Sequence, residues 1–345
     1  MSIYARLVYP LISVVDAEVT HNVTINLLEN TQNSGSGRSF LGRIAGDLPP
    51  SKCTVAGLTF PNVLGVAAGF DKDVRVAKGL AQLGFGHVEV GTLTPRPQEG
   101  NPRPRIFRYK QQGALINRMG FPNCGVRAAL PRLRTLAESP REWVLGVSLG
   151  KQKETPLAEA VDDYIEVMQL VYENTDYLAV NISSPNTPGL RELQRGSYIT
   201  NLLNQLKLES IRLAQEKGVK ERPIFVKIAP DIDQEGLLEV IDAAFGQEID
   251  GIIATNTTRS REQLPSAAAD QEGGMSGKPL FEKSIKVVRD ISSITSGKMA
   301  IIGVGGVRTA EDVGKMLDAG ASLVQVYTGM IYDGPGIAGR ILRQL

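Results

Sequence analysis

Eight short apolar runs rich in β-branched residues recur along this chain, separated by polar or glycine-rich segments. The runs occupy residues 63–67, 87–90, 144–149, 177–182, 223–228, 250–255, 299–304 and 322–327. The segments between them carry apolar residues three and four positions apart, as in Val161, Tyr164, Ile165 and Met168, which is typical of amphipathic helices. Eight βα repeats predict an α/β fold, the (β/α)8 or TIM barrel. An open doubly wound sheet is the alternative, which the lack of G-x-G-x-x-G after the first run disfavours.

The first 56 residues differ from the rest of the chain. Residues 1–32 predict a pair of short apolar helices, with Asp16 as the N-cap of the second. One face carries four apolar residues, namely Val15, Val19, Val23 and Leu27. The sequence NSGSGR at 33–38 predicts a flexible joint, which begins a linker over 33–56. We therefore expect a small helical extension and a barrel over residues 57–345.

Composition excludes several classes of protein. A net charge of +1 over 345 residues gives no electrostatic reason to expect nucleic-acid binding. The two cysteines, Cys53 and Cys124, show no metal-binding spacing and suit a reducing compartment. With only His21 and His87, a histidine-rich metal site is excluded, and we expect no metal. No stretch approaches the roughly 18 apolar residues of a membrane-spanning helix.

Polar or glycine residues follow every apolar run, at the edge where barrel enzymes place their active sites. They are residues 67–72, 91–92, 150–151, 181–186, 227, 255–257, 303–306 and 327–329. Any one of them could be an ordinary turn former or strand cap. Eight such groups at one rim predict a ligand site.

The glycines after the seventh run, with the residues after the eighth, are typical of the phosphate site of such barrels. They are Gly303, Gly305, Gly306, Thr328 and Gly329. A second glycine-rich segment, residues 273–277, could cover the same phosphate or could be a mobile connection.

Two lysines at run ends, Lys72 and Lys227, predict buried cations that face an anionic ligand. Ion pairing, for instance of Lys72 with Asp71, is the alternative explanation, and a Schiff-base lysine is another. Four asparagines at the same rim argue against the Schiff base, because uncharged amides suit the edge of a planar heterocycle. They are Asn117, Asn181, Asn186 and Asn256.

A series of motifs from about Gly57 to the C-terminus carries a resemblance to one enzyme family. They are GVAAGFDKD, EVGTLTPRPQEGNPRPRIFR, LINRMGF, NISSPNTPGLR, VKIAPD, IIATNTT, GGMSGKPL, IIGVGG and GASLVQVYTG. The chain resembles the dihydroorotate dehydrogenases, flavin enzymes that oxidise dihydroorotate to orotate in pyrimidine synthesis. Ser184 matches the family's catalytic base, which is a cysteine in the soluble class. With the helix pair, this implies the membrane-associated, quinone-reducing class 2.

The resemblance implies FMN as cofactor, with Lys227 near the pyrimidine end of the flavin, where positive charge stabilises the anionic reduced form. The implied cofactor residues are Ala68, Gly69, Lys72, Thr92, Ser148, Asn181, Lys227, Thr255, Gly277, Gly306, Tyr327 and Thr328. The implied substrate residues are Lys72, Asn117, Arg118, Met119, Gly120, Phe121, Asn181, Asn186, Asn256 and Thr257.

Ser184 would remove the C5 proton of dihydroorotate. An alcohol is a weak base, so we expect a relay through ordered water and the Thr187 hydroxyl, beside Phe121. One position departs from the family pattern, since Asn-x-Gly-Lys reads Ser148-Leu-Gly-Lys151 here. A hydroxyl there makes fewer hydrogen bonds than an amide, which puts flavin affinity or potential in question.

The helix pair would bind a membrane surface and admit a membrane quinone, with His21, Arg108 and Tyr327 along the quinone tunnel. Without the resemblance, His21 would be interpreted as a solvated helix residue and Arg108 as an ion-pair partner. We expect a peripheral monomer on the cytoplasmic face of a bacterial inner membrane. The alternatives are another FMN or phosphate-binding barrel enzyme and a catalytically silent membrane-surface protein, and neither explains Ser184 together with four asparagines.

Overall fold

The computed structural model describes residues 4–345. Its N-terminal part contains a π-helical turn (Tyr4–Val8) and the helices α1 (Tyr9–Ile12), α2 (Ala17–Asn33) and α3 (Gly35–Ala45). Asp16 caps α2 as predicted, because its carboxylate accepts hydrogen bonds from the N–H groups of Glu18 (2.9 Å) and Val19 (3.0 Å). Residues 1–3 of the predicted helix pair lie outside the described part of the chain.

The flexible joint predicted at residues 33–38 is wrong. Helix α3 begins there, and the Ser34 hydroxyl accepts a hydrogen bond from the Gly37 N–H at 3.0 Å as its N-cap. The helix packs against α2, and its buried Leu41 and Ala45 face the barrel side. Capping and packing therefore outweigh the low helix propensity of glycine and serine.

Thirteen strands and nine further helices follow within the described residues. The strands are β1 (Cys53–Val55), β2 (Leu58–Phe60), β3 (Leu64–Val66), β4 (His87–Leu93), β5 (Ile106–Tyr109), β6 (Ala114–Asn117), β7 (Val144–Leu149), β8 (Tyr177–Asn181), β9 (Ile224–Ile228), β10 (Gly251–Ala254), β11 (Gly274–Gly277), β12 (Ala300–Val304) and β13 (Leu323–Val326). The helices are α4 (Ala77–Gln82), α5 (Val126–Glu138), α6 (Ala160–Val171), α7 (Gly196–Lys217), α8 (Gln234–Gly246), α9 (Phe281–Ile294), α10 (Ala310–Asp318), α11 (Thr328–Asp333) and α12 (Ile337–Leu342).

Eight of the strands form a closed parallel barrel in the order β3, β4, β7, β8, β9, β10, β12 and β13, with β13 paired to β3. Each of the eight predicted runs coincides with one of these strands, although β4 extends three residues beyond its run, so the predicted (β/α)8 barrel is confirmed. The open doubly wound sheet is thereby excluded.

Alternation along each strand decides which side chains enter the barrel. On β9, Phe225 belongs to the cluster inside the barrel, whereas Val226 packs outward against the helices. Lys227 lies one residue further and therefore points inward, at the carboxyl end of its strand. The same period places Asn181 inside, two residues after Ala179 on β8.

Two smaller sheets were not predicted. The β1–β2 hairpin contributes Phe60 to the cluster inside the barrel. Strands β5, β6 and β11 form an antiparallel sheet in which β6 is central. This second sheet carries Asn117 at the end of β6, so it supplies part of the predicted site.

His87, the first residue of β4, is fully buried against Phe60, with the ring planes at 85° and the centroids 5.5 Å apart. Neither ring nitrogen has a hydrogen-bond partner in the described residues, and burial lowers the pKa of His87 to about 3. The folded protein therefore holds this imidazole neutral.

We expect His87 to weaken the fold in acid. At pH values between the ordinary histidine pKa of about 6.5 and the lowered pKa, His87 is protonated in the unfolded chain but neutral in the folded chain. The free energy of unfolding should then fall by at most about 1.4 kcal/mol per pH unit as the pH drops through this range. Urea unfolding of wild type and His87→Leu at pH 7.5 and pH 5 measures this. The substitution alters packing equally at both pH values, so packing does not affect the difference between them. If wild type and His87→Leu lose the same free energy of unfolding between pH 7.5 and pH 5, His87 is not the cause of the acid sensitivity.

Candidate active site

One large cavity opens at the carboxyl ends of the barrel strands and continues between the N-terminal helices. Its volume is about 650 Å³, within the usual range for small-molecule sites. Strand-end residues form one part of its wall, and apolar residues of α2 and α3, such as Leu27 and Phe40, form the other. A polar chamber and an apolar passage therefore share one space.

Asparagine and hydroxyl groups are linked by hydrogen bonds at the chamber wall. Asn181 donates through Nδ2 to Thr92 Oγ1 at 3.0 Å, and Asn256 Nδ2 donates to Asn181 Oδ1 at 3.2 Å. Thr92 Oγ1 also lies 2.9 Å from the Ser148 hydroxyl. Ser148 is thus part of the network behind Thr92 but is not among the residues that line the cavity.

A second amide pair comes from two different elements. Asn186, in the loop after β8, donates through Nδ2 to Asn117 Oδ1 at 3.1 Å. Asn117 ends β6 of the small antiparallel sheet, and both side chains belong to the cavity wall. All four predicted asparagines therefore meet around one chamber.

Ser184 lies between these amides and is almost fully buried. Its Oγ accepts a hydrogen bond from the Asn186 N–H at 3.2 Å. Three residues further along, Thr187 Oγ1 is buried and has no hydrogen-bond partner within residues 4–345. Phe121 also lines the cavity and adopts φ 53°, a left-handed conformation that is costly for an aromatic residue.

Lys72 is not paired with Asp71, so that alternative is wrong. The Asp71 carboxylate instead accepts hydrogen bonds from the N–H groups of Arg75 (2.7 Å) and Val76 (2.8 Å), which fixes the turn after β3. Lys72 Nζ lies 3.3 Å from Nε2 of His21, on α2. Burial lowers the pKa of Lys72 to about 8, and burial together with the Lys72 charge holds the pKa of His21 well below its ordinary value. A neutral imidazole thus accepts a hydrogen bond from the ammonium group.

Lys227 does form an ion pair, with Glu89 on β4. Its Nζ lies 3.2 Å from Glu89 Oε1, and both side chains are buried. Sequence analysis missed Glu89, which falls inside the apolar run 87–90. A lone carboxylate within a barrel strand was the available signal, because an isolated buried charge needs a partner.

Glycines and hydroxyls surround the far end of the chamber. Gly277 (φ 94°) ends β11, Gly306 (φ 79°) follows β12, and Thr328 begins α11. A Cβ at Gly306 would approach the Phe281 backbone to 2.7 Å, so no larger residue fits this position. Thr328 Oγ1 lies 2.8 Å from the Ser276 hydroxyl, which joins the two segments. The groups predicted to bind phosphate are thus brought together.

Three residues line the passage near the helices, as expected for the predicted quinone residues: His21, Arg108 and Tyr327. Arg108 is not in an ion pair among the described residues. Its Nη1 instead donates to the carbonyl oxygens of Ile12 (3.3 Å), Ser13 (3.0 Å) and Val15 (2.8 Å). Arg108 therefore holds the segment between α1 and α2 against the barrel. The Tyr327 hydroxyl donates a hydrogen bond to the Gly69 carbonyl oxygen at 3.3 Å.

Of the residues predicted for the site, Ser148 and Arg118 are not on the cavity wall, and neither are Gly303 of the predicted phosphate site and Thr187 of the predicted relay. The Arg118 guanidinium bonds to the Pro104 carbonyl through Nε at 3.2 Å and reaches Glu272 at 3.2 Å. Successive residues of an extended segment point to opposite sides, so Asn117 faces the chamber and Arg118 faces away from it. The other residues predicted as catalytic, cofactor, substrate or quinone residues all line the cavity. They are Ala68, Gly69, Lys72, Thr92, Asn117, Met119, Gly120, Phe121, Asn181, Ser184, Asn186, Lys227, Thr255, Asn256, Thr257, Gly277, Gly306, Tyr327, Thr328, His21 and Arg108.

Comparison with known proteins agrees with this geometry. A family model described as dihydroorotate dehydrogenase matches residues 51–345. The chain belongs to the dihydroorotate dehydrogenase family. It is 46% identical over 329 residues to a protein of Shewanella sp. (strain W3-18-1) named dihydroorotate dehydrogenase (quinone), with 95% of each chain covered. A protein of the same name from Cupriavidus pinatubonensis (strain JMP 134 / LMG 1197) is 46% identical over 327 residues, with 94% of each covered.

Solved structures of family members share the fold. The Eimeria tenella dihydroorotate dehydrogenase crystallised with ferulenol superimposes with a TM-score of 0.84 at 37% identity, covering 95% of this chain and 90% of that one. The ligand-free form from the same organism gives a TM-score of 0.82 at 40% identity, covering 89% and 92%. These matches confirm the resemblance to the quinone-dependent class, and they identify the chain as an oxidoreductase of that family.

Proposed function

We propose that this dehydrogenase oxidises (S)-dihydroorotate to orotate in pyrimidine synthesis and passes the electrons through FMN to a membrane quinone. The observation that carries the proposal is that Ser184, four asparagines and Lys72 share one cavity with a glycine cradle and an apolar passage. Amides suit the ring edge of orotate, the cradle suits a phosphate and the passage suits a lipid-like acceptor.

The residues present fit a bound flavin. Two buried polar atoms in cavity-lining residues, Gln325 Oε1 and Thr257 Oγ1, have no hydrogen-bond partner within residues 4–345, and such atoms are costly unless a ligand or water satisfies them. Gly277, Gly306 and Thr328 would hold the phosphate, and Lys227 would lie at the pyrimidine end of the ring. When bound, FMN accepts the hydride that leaves C6 and hands the electrons to the quinone.

Ser184 would take the proton from C5 while the C6 hydride leaves, so that the C5=C6 double bond forms. A serine hydroxyl is a weak base, and it must pass its own proton on as it receives another. Water between Ser184 and the Thr187 hydroxyl would carry this proton away to bulk solvent, with Thr187 passing its own proton on as it receives one; the buried Thr187 Oγ1 has no other hydrogen-bond partner in the described residues. The wall of amides would hold the substrate ring against Ser184 and exclude bulk water.

The apolar passage would admit the quinone. Val15, Val19, Val23 and Leu27 are exposed along α1–α2, together with Leu11, Val14 and Phe40. Such a contiguous apolar surface is expected to enter the interfacial region of a bilayer. Among the helices of residues 4–345, none has the length and apolar character needed to cross one. We therefore propose peripheral attachment, on the cytoplasmic face of a bacterial inner membrane, as a monomer.

Anaerobic mixing of the purified yellow protein with dihydroorotate tests the proposed reaction. Bleaching of the flavin absorbance near its visible maximum, followed by recolouring when a quinone is added, is the expected result. A flavin that stays oxidised with dihydroorotate would overturn the proposed substrate.

Ser184→Ala should keep FMN and orotate binding but slow flavin reduction by about 10²- to 10⁴-fold, because the proton acceptor is lost. Stopped-flow reduction by dihydroorotate measures the rate. Ser210→Ala is the matched control, since Ser210 is also buried but its hydroxyl contacts Tyr172, away from the cavity. Equal rates for the two variants would contradict the role of Ser184.

Orotate affinity should fall as the pH rises through about 8. Lys72 has its pKa lowered to about 8 by burial, and only the protonated ammonium can anchor a carboxylate. We expect up to about tenfold weaker binding per pH unit above that value. Flavin absorbance titrations with orotate between pH 6.5 and 9.5 measure this. Lys72→Arg stays charged throughout and should remove the dependence, so identical pH profiles would exclude Lys72 as the anchor.

Charges on the exposed helix face should release the protein from membranes. Val23 and Leu27 are 61% and 66% exposed, so Val23→Asp with Leu27→Asp should fold normally yet lose binding to phospholipid vesicles and most quinone turnover. Reduction by dihydroorotate should be unchanged. Leu208→Asp, on α7 and 56% exposed, is the matched control. Vesicle binding that survives the paired change would refute this face as the anchor.

A further inference from the structure

A carboxylate with three partners lies inside the barrel, beneath the chamber. Glu89 Oε1 accepts a hydrogen bond from Lys227 Nζ at 3.2 Å. Glu89 Oε2 accepts from the Tyr177 hydroxyl at 3.2 Å and from Gln325 Nε2 at 3.0 Å. The four side chains come from β4, β8, β9 and β13, so the cluster joins opposite sides of the barrel.

The side chains of this cluster are buried. Glu89, Tyr177 and Gln325 have no exposed surface, and Lys227 is almost fully buried. Burial and the neighbouring Glu89 raise the pKa of Tyr177 well above its ordinary value, so its phenol remains protonated and acts as a donor. The ion pair is therefore a fixed feature of the site, with its charges weakly screened.

The cluster has one side towards the cavity and one side away from it. Lys227 and Gln325 line the cavity, whereas Glu89 and Tyr177 do not. Glu89 can therefore influence a bound ligand only through its charge and through its two cavity-lining partners, Lys227 and Gln325. It is a positioning residue and not a catalytic one.

We propose that Glu89 sets the reduction potential of the bound flavin by holding Lys227 and offsetting part of its charge. The inference rests on the proposed function, because it requires FMN with its pyrimidine end at Lys227. An unopposed ammonium would strongly favour the anionic reduced ring. The Glu89 carboxylate moderates this preference, which leaves the reduced flavin able to pass its electrons on to an acceptor.

Two variants with opposite expected shifts test the proposal. Glu89→Gln keeps the size and removes the charge, so the midpoint potential should become more positive by about 30 mV, a tenfold change in the two-electron equilibrium. Tyr177→Phe removes one hydrogen-bond donor from the Glu89 carboxylate. More of the negative charge of Glu89 then acts on Lys227. The midpoint potential of this variant should become more negative, which corresponds to a change of about threefold in the two-electron equilibrium constant. Tyr172→Phe, whose hydroxyl bonds to Ser210, is the matched control and should show no shift.

The potentials are measured by anaerobic dithionite titration of the FMN-loaded proteins with reference dyes. A second measurement is the affinity for sulfite, which adds to oxidised flavin as an anionic adduct and should tighten in Glu89→Gln and weaken in Tyr177→Phe. Shifts of the same sign in both variants, or no shift, would overturn the proposal, because a merely structural disturbance has no reason to reverse its sign. If Glu89→Gln does not fold, Tyr177→Phe decides alone. An unchanged or more positive potential of Tyr177→Phe would contradict the proposal.

These measurements are independent of the substrate. Dithionite reduces the flavin whether or not dihydroorotate does, so the proposed substrate can fail while the role of Glu89 stands. A wild-type protein that binds no FMN would overturn both.

Discussion

Closure of eight parallel strands into a ring is the constraint on which the rest of this structure depends. Because parallel neighbours are in register, their carboxyl ends lie at one level, and Asn181 is paired directly with Lys227 across β8 and β9. Inward-facing side chains at that level can only point into a common mouth. Residues more than 150 positions apart, such as Lys72 and Lys227, are thereby brought to the wall of one cavity.

The two lysines of that mouth are held in different ways, and their chemistry differs as a result. Lys72 faces a neutral histidine, and within residues 4–345 no carboxylate lies within hydrogen-bonding distance of it, so burial outweighs the more distant carboxylates and lowers its pKa to about 8. Lys227 has a buried carboxylate as its partner and remains in an ion pair. A cation with no directly bonded carboxylate suits an anionic ligand that comes and goes, whereas a cation in an ion pair suits a ligand that stays bound.

The sequence predicts most of the barrel because long βα repeats leave a strong periodic signal in each strand and helix. Helix α3 was missed because its composition of glycine and serine is unfavourable for a helix, and the cap at Ser34 and packing against α2 decide its structure. Strands β5 and β6 follow one another with no helix between them as in a βα repeat, and β11 pairs with a strand far from it in the sequence, so no repeating pattern marks them. Among site residues, Glu89 was missed because its partners lie 88 to 236 residues away in sequence. Arg118 was predicted because the resemblance carried over residues 117–121 of the motif LINRMGF together, although neighbouring residues of an extended chain face opposite ways.

The small antiparallel sheet beside the barrel mouth has a mechanical consequence. Strand β11 pairs with β6 so that Gly274 faces Asn117 at one end and Gly277 faces Ala114 at the other. The first pair belongs to the amide-lined end of the chamber and the second to the glycine cradle. A strand of four residues spans about 10 Å between these ends and cannot stretch without breaking its hydrogen bonds. The sheet is thus a rigid spacer that fixes the separation of the two ends of the chamber, so that displacement of one end must carry the other with it.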